Sequence, residues 1–315
     1  MNTSLKRMKI KIAAILTIFL GFTASSSIAA SSPQTLRFLV DQSEFIVVGY
    51  VQKTVTGHTE KEGNFRIVKI TVKERLQGKV DEDTLSFKFY NNSINFVPAN
   101  VQYFDSTYVI LFLSNSSGKY YTREGAFGVK TLALDEIEVY KKRIKEIQVI
   151  QEITDKNKMF SETLEWLVKC AENEATRKEG TDELNPKKSL TELYSKDDLQ
   201  DFKQALSPEQ KERLKKALLS SKISHNADFA LVDMVYKKNK KEIDKFLLIN
   251  FKNIPEEYLF AYAPDYMDHF LKKHGSKKAH ALEDEFYKVS YKGDTKKIKD
   301  VVSQFINLIE PEIAG

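Results

Sequence analysis

The chain reads as α+β: an N-terminal antiparallel β-barrel of OB-like type, followed by an all-α array of helical hairpins or a bundle. Three observations predict this. Apolar runs of strand length, broken by turn residues, fill Phe45 to Leu132. No stretch among them is long enough for a helical crossover between parallel strands. Near Leu134 the apolar spacing changes from every second residue to the 3.6-residue period of a helix.

The first thirty residues read as a secretory signal peptide. Lys6, Arg7, Lys9 and Lys11 precede an apolar core at Ile12 to Phe22, and Ser27-Ile28-Ala29-Ala30 supplies small residues for cleavage. The core is short for a membrane span, so the expectation is a periplasmic or secreted protein with no span left after cleavage. The leader carries four basic residues and no acidic one, and 49 less four leaves 45 Lys and Arg against 44 Asp and Glu. A balanced mature chain gives no electrostatic case for nucleic acid as a partner. The single cysteine, Cys170, rules out an internal disulfide. Its neighbours Trp166 and Leu167 make it a small buried residue rather than a nucleophile.

The expected units are 1–30 signal peptide, 31–133 barrel, 134–154 connecting helix and 155–315 helical region. Leu36 to Glu44 is a lead-in with a helical turn. Phe45 to Thr54 is apolar on both faces, as a covered strand would be. Gly57 to Asn64 reads as a loop or hairpin tip. Arg66 to Leu76 alternates, with Val68, Ile70 and Val72 on one face, and Thr84 to Tyr90 alternates again through Leu85, Phe87 and Phe89. Asn91-Asn92-Ser93 is a turn signal. Tyr108 to Leu113 suits a central strand, Tyr120 to Arg123 begins the next, and Val129 to Leu132 is the last.

Ser43 to Val51, the strand end Val72-Lys73-Glu74-Arg75-Leu76-Gln77-Gly78, and Tyr108 to Leu113 together resemble netrin-like domains. These are OB-type barrels that include the tissue inhibitors of metalloproteases. The resemblance covers about a third of the chain and implies the barrel. The animal inhibitors chelate a protease metal through an N-terminal Cys, and this region has none, so the resemblance does not carry that mechanism across.

Downstream, Asp135 with Glu138 reads as a capping pair for a helix through Ile137, Tyr140, Ile144, Ile147 and Ile150. Asp155-Lys156-Asn157-Lys158 begins like a calcium loop but has Phe160 and Trp166 where Gly and Glu are needed, so it reads as a linker. Ser161 starts the next helix, and Gly180 to Lys188 is a polar loop. Ser195 and Ser207-Pro208-Glu209-Gln210 are further helix starts. The remaining helices are expected over 226–237, 240–251, 255–262, 264–274, 277–289 and 295–309. Lysine doublets such as Lys215-Lys216 and Lys237-Lys238 read as solvated helix faces.

No nucleophile elbow, phosphate-cradling glycine loop or paired-His zinc motif occurs. Asp265, Asp268 and His269 are the one grouping with a metal-like spacing, and His274 and His280 lie beyond. The preferred reading is a solvated helix face with Asp265 as a cap. No cofactor is expected. The chain holds 20 Phe and 14 Tyr. Tyr90, Tyr103, Tyr120 and Tyr121 are the expected ligand- or partner-binding residues, with Tyr90 and Tyr120 alternating away from the apolar face. The function that follows is a non-catalytic binding or scaffold protein outside the cytoplasm, engaging another protein or an envelope component. A netrin-like protease inhibitor is the first alternative, and a hydrolase whose groups converge in space is the second.

Overall fold

The computed structural model describes residues 34–59, 63–90, 103–123, 125–186, 202–221 and 226–314. The expected signal peptide, the Asn91 turn and the Ser195 helix start lie outside them. Among the described residues, no helix is long and apolar enough to cross a membrane.

A short helix α1 (Leu36–Gln42) leads into six strands: β1 (Phe45–Thr59), β2 (Gly63–Gln77), β3 (Thr84–Tyr90), β4 (Tyr108–Ser116), β5 (Lys119–Thr122) and β6 (Val129–Leu132). All pairings are antiparallel, in the order β3-β2-β1-β4-β5, and β6 shares the far edge of β4 with β5. β1 and β2 are longer than their apolar runs because they pair onward into a polar hairpin, from Thr54 with Val68 to Thr59 with Gly63. Backbone hydrogen bonds continue a ladder past the point where apolar alternation ceases.

The central strands explain the continuous apolar runs. On β1 and β4, Ile46, Val48, Ile110 and Phe112 face the helices, while Val47, Val51, Val109, Leu111 and Leu113 face a second core. That second core also takes Val68, Ile70, Leu85, Phe87, Tyr120 and Val129, so all six strands curl around it. Even so, hydrogen bonding does not close the sheet, because among the described residues β3 and β5 are never paired with each other.

The turn after β2 is held in one conformation by a Gln-Gly pair. Gly78 has φ of +67°, and a Cβ there would lie 2.5 Å from the Glu44 carbonyl oxygen. Gln77 before it donates to Ser43 O at 2.6 Å and accepts from the Gln148 amide at 2.8 Å. The Gln-Gly pair thus ties the start of β1 to the helix lying across the sheet.

The helices are α2 (Leu134–Gln151), α3 (Lys156–Glu172), α4 (Arg177–Leu184), α5 (Phe202–Ala205), α6 (Pro208–Leu219), α7 (Asn226–Val235), α8 (Lys240–Lys252), α9 (Leu259–His274), α10 (Lys277–Tyr291) and α11 (Thr295–Ala314). Several differ from the sequence expectation. α2 is capped at Ala133, whose N–H is taken by Glu136 at 2.7 Å, rather than at Asp135. Asp155 accepts from Lys158 N at 2.7 Å and is the cap of α3, so the expected linker is a helix start. The first half of the expected polar loop is α4. Gly180 lets that helix pack against α3, since a Cβ would meet Leu167 O at 2.4 Å and Ala171 N at 2.5 Å. Pro264 lies within α9 instead of starting it, so Asp265 is an interior helix residue and not a cap. Ser207 does cap α6, accepting from Gln210 N at 3.1 Å while its own N–H is held by the Gln210 side chain at 3.0 Å.

α2 lies against β2 and β4, and from there one apolar core continues into the helices. α11 packs on α8, α9 and α10 together. A helix touching one three places earlier belongs to a bundle, because a linear stack joins near neighbours only.

Buried polar groups fix the helical packing. The Arg177 guanidinium donates to Ala171 O at 3.1 Å, Ser221 Oγ at 2.6 Å and Ala217 O at 3.3 Å, and pairs with buried Asp228. Glu179 accepts from Lys130 Nζ at 2.7 Å and Tyr140 OH at 3.0 Å, joining β6, α2 and α4. Cys170 is fully buried, and desolvation pushes its thiol pKa well up, which suits a packing role.

Candidate functional site in the sheet

The two outer strands of the sheet, which have no further strand partner among the described residues, face one cleft of about 560 Å³. Thr84, Leu85, Ser86, Phe87 and Lys88 line one side. Gly118 to Thr122 line the other, with Glu82 and Tyr103 completing it. Consecutive residues of a strand point to opposite faces. Both parities border the cleft on each side, so the strands present their backbone edges to it.

The ladder shows which backbone groups those are. Val72 N donates to Asp83 O at 2.9 Å, in register with the β2–β3 pairs. Asp83, Leu85 and Phe87 are therefore the residues bonded to β2. The N–H and C=O of Thr84 and Ser86 point away from β2, to the outer edge. Across the cleft, Arg123 N donates to Phe112 O at 2.8 Å, which sets Lys119 and Tyr121 toward β4 and turns the backbone of Tyr120 and Thr122 outward. The β4–β5 turn fixes that register. Ser117 and Gly118 have φ of 52° and 76°, the two left-handed residues of a tight hairpin.

The expected tyrosines separate into distinct roles. Tyr121 is 44% exposed at the rim and is free to contact a ligand. Tyr120 also lines the cleft, but its ring is not on the outer face. It is half-buried against the second core, its ring edge-on to Phe45 at 5.3 Å. Desolvation and a hydrogen bond to the Glu82 carboxylate raise its phenol pKa. Exposure along β5 alternates the opposite way to the sequence expectation, with Lys119 and Tyr121 outward and Tyr120 and Thr122 inward, so the Tyr120 ring packs on the core and reaches Glu82 in the β2–β3 turn. Tyr103 packs on the same core, and burial raises its pKa. Tyr90 ends β3 opposite Phe65, and its side chain lies outside the described residues. Sequence reading missed Lys88 and Lys119, which flank the rings, because strand lysines look like ordinary solvated positions.

Asp265, Asp268 and His269 do not meet. Asp268 is exposed and paired with Lys272 at 2.6 Å. His269 is buried, its Nε2 2.9 Å from Asp244 Oδ1. Tyr236 OH donates to Asp244 Oδ2 at 2.8 Å, and Phe270 is edge-on to the imidazole at 5.2 Å. Desolvation works to raise the Asp244 pKa, but hydrogen bonds from His269 and Tyr236 outweigh it and hold the carboxyl below its ordinary value. The trio joins α8, α9 and the short 3-10 turn Tyr236–Lys238 as a buried polar staple. Among the described residues, no three His, Cys, Asp or Glu side chains are grouped to hold a metal ion.

No protein family and no curated protein matches the chain at a significant level, so a functional reading must rest on this geometry.

Proposed function

We propose that the protein is an exported, non-catalytic binding protein whose sheet is an incompletely closed OB-type barrel of netrin-like kind. Its ligand in this reading is an extended segment of another protein, laid along the outer edges of β3 and β5. The observation that carries the proposal is the pair of edges, without strand partners among the described residues, that face one cleft with the Thr84, Ser86, Tyr120 and Thr122 backbone groups turned into it. An unpaired edge is a template for strand addition, in which the main chain supplies affinity and side-chain pockets supply selectivity. Tyr121 offers an exposed ring for that selectivity, and Lys119 favours acidic neighbours in the bound segment.

The test is selection of binders from a displayed random-peptide library on the mature chain, followed by edge blocking. Ser86→Pro removes one outward N–H from an edge position, where proline is tolerated. Selected peptides should lose binding to this variant and weaken on Tyr121→Ala, while the fold is unchanged by circular dichroism. Peptides that bind the Ser86→Pro protein as well as the parent would overturn strand addition. Turnover of a peptide would overturn the non-catalytic reading.

A further inference from the structure

A second cleft of about 560 Å³ lies at the far end of the helical bundle. Its lining brings together Lys237 from the turn before α8, Lys240 and Lys241 from the first turn of α8, and Lys273 and His274 from the end of α9. Glu312 and Ile313 of α11 close one side, and Asp244 forms the floor. From this arrangement we infer a binding site for a phosphoryl-type oxyanion, held by Lys237, Lys240, Lys241 and Lys273 at the start of α8.

The first argument is charge without compensation. Some lysines elsewhere in the bundle find carboxylates: Lys215 pairs with Glu212 and Glu242, Lys252 with Glu310 and Lys299 with Glu256. Among the described residues, none of the four cleft lysines has a carboxylate within ion-pair distance, although all four are exposed and long enough to reach one. The two acids that line the cleft do not offset them. Asp244 is buried, with Tyr236 OH and His269 on its two oxygens. Its oxygen also lies 3.5 Å from His274 Nε2, and Glu312 lies 3.9 Å from His274 Nδ1, so both acids face histidine rather than lysine.

The second argument is the helix start. Cations at a helix N-terminus oppose the macrodipole and lower stability. α8 nevertheless opens with two lysines ahead of Glu242, and its N-cap Asn239 makes no side-chain cap, because its amide donates back to Val235 O at 2.9 Å. The first-turn amides and both ammonium groups thus make one electropositive mouth. The first-turn acid Glu242 is itself drawn to Lys215 at 3.3 Å, so an anion bound at this helix start would supply balancing charge.

The third argument selects the ligand. Arginine forks bind carboxylate and phosphate alike through paired hydrogen bonds, whereas separated lysines act as point charges that can surround a compact polyanion. The cleft holds lysines and no arginine. Lys273 is also held in place, its Nζ 4.6 Å from the centroid of the Tyr236 ring.

The test uses the mature chain and its Lys240→Gln/Lys241→Gln double variant, with Lys215→Gln as a control. Binding is read by calorimetry with inorganic phosphate at constant ionic strength, and by sedimentation with phosphatidylcholine vesicles with and without phosphatidylglycerol. Saturable phosphate binding that the double variant weakens about tenfold or more, and the control does not, supports the site. Sedimentation only with the anionic vesicles, abolished by the double variant, supports it and names a lipid-borne phosphoryl group. In either case the ligand-free double variant should melt at the same temperature as the parent or higher, since like charges have been removed from the helix start. Absence of binding in both arms, or binding unaffected by the double variant, would overturn the inference.

Discussion

The sheet and the helical bundle hold themselves together in different ways. The second core of the sheet is apolar throughout, and its polar contacts sit at the rims, as with Gln77 at a turn and Tyr120 at an edge. The bundle buries charge. Arg177 with Asp228 and His269 with Asp244 lie within its interior, satisfied by partners from separate helices. A ladder already fixes strand positions through its backbone, so side chains need only fill space. Helices satisfy their own backbones and slide against one another, so placing them takes directional contacts between side chains. The lesson is that the bundle should be sensitive at a few polar points and the sheet at its turns.

The strongest way to break this comparison is at Arg177. Asp228→Ala leaves a buried guanidinium without its counter-charge, and unfolding in denaturant should show a loss of about 3–5 kcal/mol. A loss below about 1 kcal/mol, the scale of exposed pairs, would place this ion pair with surface bridges and remove the contrast. In the sheet, the corresponding weak point is Gly78. Gly78→Ala must adopt a positive φ and push against the Glu44 carbonyl, at a cost of about 2–3 kcal/mol. Thermal melting that is unchanged would show that the β2 turn can relax.

The buried staple sharpens the comparison through pH. The Asp244 carboxyl is held below its ordinary value, so its contribution is fully present above the unfolded-chain value of about 4 and fades as pH falls below that. Asp244→Asn should therefore flatten part of the acid limb of a stability–pH curve. His269→Ala, which strips a partner from Asp244, should cost about 1–3 kcal/mol at neutral pH. An acid limb identical in parent and Asp244→Asn would show that other carboxylates control it. The smallest effect belongs to the cleft rim. Tyr121→Ala should change stability by no more than about 0.5 kcal/mol while weakening peptide capture, because the ring is exposed and touches no core.

The sequence by itself determined the class and order of the elements. Alternation in Arg66 to Leu76, the apolar run of Tyr108 to Leu113 and the Ser207-Pro208 cap are signals carried within a few residues, and the backbone reads them locally. Its errors fall where local signals compete. Asp155 looked like a linker because a capping acid and a loop acid are the same residue type, and Pro264 looked like a helix start although packing carries α9 through it. What only the tertiary structure decided is convergence. β3 and β5 are adjacent to neither each other nor a common partner, yet the curl of the sheet turns both edges into one cleft. Arg177 and Asp228 lie 51 residues apart. Lys237, which read as part of a solvated face, meets Lys273 and His274 only when α9 folds back beside α8. Periodicity reports which face of an element is buried, whereas a site depends on which faces meet, and that is fixed by packing between distant segments.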